Sequence, residues 1–456
     1  MTRRYTTVTI ALALLLIGGA CTDLTVPDLN NPSLEDAITN PNRAKIAAEA
    51  AGLLIGHRAT FAGRAGYISE LGIFGRESYN FDAADPRFIT ELLIGPLVAG
   101  NGAFGGNHWT GPYVNMRNAD IMLQAIDGAP DLSAGEKDAA RGFAKTIQAL
   151  DLLAVINTHD VNGAVIDLTT DPTGEPAAIV DKAAVFTRIA QLLDDADANL
   201  GAASDFPFPL TSGFAGFDTP STFRQFNRAV RARVAVYMGD FATALTALSG
   251  SFLDTSASMD LGVYHVFSTG SGDALNALFD PSSTPDLLAH PSIETDAQLQ
   301  ADGVTPDDRF VRKVVRLSAS RTTSGITTDL AFSIYTSNTS PIPIIRNEEL
   351  ILLRAEANIG LGNLATAQTD LNVVRTVSGK LPALTTPFAT TTEAVDELLY
   401  NRRYSLLFEG HRWIDVRRFG RLNTLPLDLP THAIFSEFPI PQGECDARTN
   451  KPPVCS

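Results

Sequence analysis

Residues 406–420 read LLFEGHRWIDVRRFG and gather Glu409, His411, Arg412, Asp415, Arg417 and Arg418 around Trp413. Two carboxylates and an imidazole are the residue types of general acid–base chemistry. That chemistry needs carboxylates facing an open cleft with their pKa values held apart. Here each carboxylate has an arginine within reach, which favours permanent ionisation. His411 has neither HExxH spacing nor a nearby Ser or Cys nucleophile. Just upstream, Val395, Leu398, Leu399 and Leu406 form an apolar stripe at helical spacing, and Arg402 falls on it. An arginine buried there requires a carboxylate. Glu409 lies two turns further along that face, and Asp415 and Arg418, three apart, can pair along a second short helix. Arg402, Glu409, Arg412, Asp415 and Arg418 are therefore expected to form an ion network that fixes the corner between two helices. Trp413, Val416 and Phe419 pack inward beneath it. No catalytic residue is assigned, and the chain is not expected to be an enzyme.

Other chemistry is sparse. A DxDxDG calcium loop is absent, and DGVTPDDRF (302–310) reads as a surface loop, so no metal site and no cofactor are expected. Outside position 21, the cysteines are Cys445 and Cys455, both in the tail ECDARTNKPPVCS. A local disulfide is the expectation for an exported chain; two free thiols are the alternative.

The elements that position these residues are mainly helical. Of the residues, 45% are apolar, enough for a large interior. Residues 43–61 are Ala/Leu-rich, the chain turns helical after Pro112, and Ser133 with Glu136 makes a capping box before a long helix. Two later stretches match each other. Residues 223–238 are helical and run into GDFATALTAL, and 348–361 are helical and run into GNLATAQTDL. Gly239 and Gly362 can take the positive φ that ends a helix. Asp240 and Asn363 can cap the next one. Ala242, Ala244, Ala365 and Ala367 allow close approach of antiparallel helices. The expected fold is mainly α, a tetratricopeptide-like scaffold of helical hairpins with long inserted loop-rich regions. Its parts are a tether over 21–41, a helical scaffold over 42–249, a loop-rich insertion over 250–345 and a C-terminal helical region and tail over 346–456, in one domain.

The N-terminus adds a location. Arg3 and Arg4 precede an uncharged, mostly apolar run over 8–17 and then LLIGGAC. That is a secretory signal over residues 1–20, and its apolar run is too short to cross a bilayer. Cys21 after Gly-Gly-Ala is similar to a lipobox, with Gly18 where Leu is usual. Cys21 is the expected lipidation site and membrane anchor. The balance of 35 Lys+Arg against 51 Asp+Glu, net −16, argues against nucleic acid as a partner.

NEELILLRAEANIGLGNLATAQTDLNVVR (347–375), NRRYSLLFEGHRWIDVRRFGRL (401–422) and FPIP (438–441) together resemble the C-terminal half of SusD/RagB-like proteins, nutrient-uptake lipoproteins of bacterial outer membranes. VPDLNNP near the N-terminus and WTGPYVNMRNAD fit the same family. The family usually has Glu where this chain has Asn401 and Ser405, which changes the partners open to Arg402 and Arg403. The resemblance implies a tetratricopeptide-like frame, a lipid anchor, cell-surface placement on the outer membrane, and a SusC-like TonB-dependent barrel as partner. In that picture the chain binds an oligosaccharide or peptide nutrient and acts as a lid that delivers it, with no reaction catalysed.

Sugars need an aromatic face for stacking and polar groups for hydroxyls. That chemistry selects Trp109 with Asn107, His108 and Tyr113, and, in RESYNFDAADPRF (76–88), which reads as a loop, Tyr79, Asn80 and Phe81 with Asp82. Tyr264, His265 and Tyr335 are further candidates. Two other function classes remain open: a helical scaffold for a protein partner, and a secreted glycoside hydrolase, which would need two carboxylates across a cleft.

Overall fold

The computed structural model describes residues 38–100, 102–168 and 174–455. The signal segment, Cys21 and most of the tether lie outside them. Helix α1 (Arg43–Phe61) is capped by the Asn42 side chain, which accepts from Lys45 N. Helix α2 (Tyr67–Phe74) is buried along its whole length. Then come α3 (Thr110–Gly128), α4 (Ala134–His159), α5 (Lys182–Ala202), α6 (Pro220–Met238) and α7 (Phe241–Ser249). The Ser133–Glu136 capping box closes the start of α4, Asp181 caps α5, and Thr219 caps α6 with proline at its first position. Residues 347–418 add α8 (Asn347–Gly360), α9 (Leu364–Val377), α10 (Thr391–Ser405) and α11 (Arg412–Arg418).

Neighbouring helices pack in sequence, and α7 packs on α8. The two matching hairpins, far apart in the chain, are therefore adjacent in one array. Their contact is close: a β-carbon at Gly360 would lie 2.1 Å from the Phe241 ring, so only glycine fits. Gly239 (φ 75°) and Gly362 (φ 79°) both turn the chain in the left-handed region. Below that level the hairpins differ. Asp240 accepts from Thr243 N at 3.2 Å, whereas the Asn363 side chain makes no cap bond and donates to Asn358 Oδ1 at 3.3 Å. Of the four alanines, Ala244 and Ala367 are buried at helix contacts, while Ala242 and Ala365 are exposed.

Residues 250–345 are more ordered than their composition suggests. They carry β2 (Gly262–His265), β3 (Leu287–Ala289), β4 (Val314–Thr323) and β5 (Ile326–Phe332). With β1 (Ser78–Asn80), three of these make an antiparallel sheet in the order β1-β3-β5-β4. Tyr79 sits opposite Leu288, and Leu288 opposite Ala331. Strand β2 pairs with β6 (Ile342–Arg346), which leads directly into α8. The four-stranded sheet thus ties the insertion to the N-terminal region, and the separate β2–β6 pair ties it to the helical array. The main core runs through α1 and α3–α8. A second, aromatic core joins Phe74, Trp413 and Phe438.

Candidate functional site

The charged corner closes on itself. Arg402 Nε donates to Asp415 Oδ2 at 2.7 Å. Arg418 Nη2 donates to the other Asp415 oxygen at 2.9 Å, and its Nη1 donates to Glu356 at 2.7 Å. Burial pushes the Asp415 carboxyl up, and the guanidiniums of Arg402 and Arg418 overcome that and hold it at about 2. Arg233 grips Glu349 with both nitrogens at 2.6 Å. Two pairings differ from the sequence expectation. Glu409 takes Arg346 at 2.9 Å rather than Arg402, because α10 ends at Ser405 and Gly410 (φ 84°) redirects the chain. Arg412 does not pair with Glu409; its charge acts on buried Glu77, whose carboxyl burial pushes up and the attraction of Arg412 and Arg403 lowers in part. Ser405 Oγ donates to Glu348, and Asn401 Nδ2 to Glu397. Arg403 reaches Asp296 and Ser292. Burial holds the His411 imidazole down at about 4, so it is neutral at pH 7. With Asp415 2% exposed and locked between arginines, this region cannot offer separated acid and base roles to a substrate. It is a frame.

The candidate binding residues divide. Tyr79 and Asn80 lie in the buried strand β1 and Phe81 follows it, also buried, with Tyr79 stacked on Phe81 at 5.5 Å. No ring there is available to a ligand, which corrects the loop reading: pairing with β3 draws the segment inside. His265 and Tyr335 are also buried. Tyr264 is half-buried and shares a cleft of about 490 Å³ with Tyr335.

The segment around Trp109 behaves differently. Two clefts meet there. One, of about 400 Å³, is lined by Tyr113, Val114, Arg117, Asn118, Asp167 and Pro176; the other, of about 470 Å³, by Asn107, His108, Gly111, Pro441 and Gly443. Trp109, Thr110 and Glu444 line both. Trp109 is only 4% exposed, so its ring is a supporting wall and not an open stacking platform. Its centroid lies 4.8 Å from that of half-buried Tyr113. The Tyr113 hydroxyl donates to Val165 O at 2.8 Å and accepts from Val165 N at 2.7 Å, which fixes the ring. Asn107 Nδ2 donates to Glu70 Oε1 at 2.7 Å, and His108 Nε2 lies 2.9 Å from Oε2. Burial raises the Glu70 carboxyl, and His108 and Asn107 partly offset it. Glu70 thereby anchors the loop and holds His108 at φ 62°, a left-handed conformation that costs a non-glycine residue about 1 kcal/mol or more.

The tail supplies what local sequence did not announce. Cys445 and Cys455 are disulfide-bonded. Cys445 is buried in the main core, and Val454 packs against it. Trp109 Nε1 donates to Glu444 Oε2 at 3.4 Å, and Arg448 pairs with the other Glu444 oxygen. Glu444 therefore sits at the junction of the clefts although it is 335 positions from Trp109. Among the described residues, no cluster of three His, Cys, Asp or Glu could hold a metal, and no helix is long and apolar enough to cross a membrane.

Comparison with known proteins agrees with this architecture. Residues 312–452 match the model of the SusD family. No curated protein matches the sequence. Among solved structures, a SusD superfamily protein from Bacteroides vulgatus is similar over 91% of this chain and 98% of its own, with 16% identity and a TM-score of 0.69. A SusD-like carbohydrate binding protein from Bacteroides fragilis is similar over 90% and 98%, with 14% identity and a TM-score of 0.69. A laminarin binding SusD-like protein is similar over 91% and 99%, with 18% identity and a TM-score of 0.63. The chain thus shares the fold of these proteins across nine-tenths of its length, and its residues 312–452 are similar to the SusD family.

Proposed function

We propose that this protein is a lipid-anchored outer-membrane receptor that captures an oligosaccharide without turnover and passes it to a SusC-like TonB-dependent barrel, for which it acts as the lid. The joined clefts at Trp109 carry the reading. There an apolar wall of Tyr113, Val114 and Pro176 adjoins the polar groups of Arg117, Asn118, Asp167 and Glu444. An apolar surface suits the C–H face of a pyranose, and amides with charged groups suit its hydroxyls. Tyr113 is fixed before any ligand arrives, which lowers the ordering cost of binding. The fold shared with a laminarin binding protein supports a carbohydrate over a peptide. Cys21, at the end of an export signal, supports the anchor.

Two measurements test the proposal. The chain after Cys21 is applied to a glycan array, where binding without product release is expected; hydrolysis of a bound glycan would replace the reading with an enzymatic one. The full chain is then recovered from detergent-solubilised membranes, where a large TonB-dependent barrel is expected to accompany it. Recovery without a barrel would remove the lid role.

A further inference from the structure

The tail is the part of the molecule least explained by a scaffold. It is rich in proline and polar residues, yet it is closed covalently between positions 445 and 455 and bound back to distant segments. Arg448 reaches both Glu444 and the carbonyl of Pro176. Thr449 donates from its amide and its hydroxyl to Glu175 at 2.9 and 2.7 Å. Pro176 lines the first cleft, and Pro441 and Gly443 line the second. The bonded loop therefore builds walls on both sides of Trp109, and Glu444 is the charged group common to them.

We infer that Glu444, held in place by the Cys445–Cys455 bond, restricts the joined clefts to neutral, hydroxyl-bearing saccharides. This inference rests on the proposed glycan site. A carboxylate only accepts hydrogen bonds and has about four lone-pair positions. Trp109 and Arg448 engage one position on each oxygen, which leaves acceptor capacity at the cleft junction. Sugar hydroxyls can donate to it, and such charge-assisted bonds are strong. The carboxylate of a uronate, or a sulfate group, offers no proton in place of a hydroxyl and meets a like charge. On the first cleft's wall Asp167 adds to that repulsion and Arg117 opposes it, so the balance is set by Glu444 and by the net charge of −16. Arg448 is the nearby cation from the tail, and it is committed to Glu444. The disulfide is the positioning element: the helix holding Glu444 spans only Gln442–Asp446, too short to hold itself in water.

The experiment compares the wild-type chain after Cys21 with Glu444→Gln and with the double variant Cys445→Ser/Cys455→Ser. The probes are an array of neutral oligosaccharides, laminarin fragments included, and oligogalacturonates of matched length. Circular dichroism confirms that each variant is folded. Wild type is expected to bind neutral glycans only. Glu444→Gln is expected to lose about tenfold in affinity for them and to narrow the gap to oligogalacturonates. The cysteine variant is expected to show the same loss, and combining it with Glu444→Gln is expected to add little, because both act on one carboxylate. Preferential binding of oligogalacturonates by wild type overturns the inference. So does an unchanged neutral affinity in Glu444→Gln while Tyr113→Ala abolishes binding, an outcome that leaves the glycan site standing. An unaffected cysteine variant overturns the positioning role. Glycan binding unaffected by Tyr113→Ala, or silence across the array, overturns the site itself and this inference with it.

Discussion

The chain's two tryptophans sit in regions of similar composition and opposite fate. Trp413 is fully buried; its Nε1 donates to Phe435 O at 2.7 Å, and the Arg417 guanidinium lies 4.4 Å over its ring. Around it, Arg402 and Arg418 both bond to Asp415, and Arg418 also to Glu356, while both Nη atoms of Arg402 and the Nε of Arg418 are buried without a hydrogen-bond partner. Trp109 is also nearly buried, but the carboxylate it touches is shared by two clefts. Aromatic and charged residues gathered in sequence do not by themselves distinguish frame from site. What separates them is whether the carboxylate is closed between arginines in the interior, as Asp415 is, or faces a cleft, as Glu444 does.

Breaking the frame is expected to have the largest effect. Asp415→Asn leaves Arg402 and Arg418 underpaired in the interior and is expected to cost about 3–5 kcal/mol, read as a large drop in Tm. The effect has a pH signature. The folded carboxyl titrates at about 2, below its ordinary 3.8, so its stabilisation is present above 3.8 and is lost as pH falls through 2. Wild type's lead over the variant should shrink across that window. A lead that stays constant down to pH 2 would mean that the ion pairs are not its source.

Breaking the site should leave the frame alone. Tyr113→Ala removes the ring that lines the first cleft and is expected to weaken glycan binding by about tenfold to a hundredfold, by calorimetry, with a smaller change in Tm than Asp415→Asn. Tyr113→Phe keeps the ring, loses only the anchor to Val165, and should fall between the two.

Glu77 tests the underside of the frame. It is fully buried, and burial pushes its carboxyl up to about 8 from an ordinary 4.5. A raised folded pKa contributes stability that is complete below 4.5 and lost as pH rises through 8. Glu77→Gln removes that dependence. The variant is expected to exceed wild type by about 2 kcal/mol or more at pH 9 and to match it near pH 4. Equal gains at both pH values would refute the titration.

The smallest effect compares the two hairpins. Asp240→Ala removes a cap bond and is expected to cost about 1 kcal/mol, while Asn363→Ala, which removes none, should cost a few tenths at most. Denaturant midpoints that shift equally would show that the two turns are energetically alike despite their geometry.

Much of the frame was readable before any coordinates. Gly239 and Gly362 announced left-handed turns because few other residues take that conformation. Ser133 and Glu136 announced a helix start because orphan backbone donors need side-chain acceptors. Asp415 and Arg418 announced a pair because three-residue spacing puts them on one helix face. The choice between Glu409 and Asp415 as partner for Arg402 was not readable, since it depended on where α10 stops. Strands β3, β4 and β5 were hidden because they are short or largely polar, and pairing, not periodicity, defines them. For the same reason Tyr79 and Phe81 passed for loop aromatics.

The sequence alone determined the helical hairpins, the charge pairing as a class of interaction and the nearness of Cys445 to Cys455. Each follows from contacts within a few residues, where spacing fixes geometry. The tertiary structure alone decided that the two hairpins adjoin through Gly360 and Phe241, that β1 is buried, and that a residue near the end of the chain faces Trp109. Those contacts join segments more than a hundred residues apart, and no local periodicity encodes which distant surfaces meet; packing of the whole interior does.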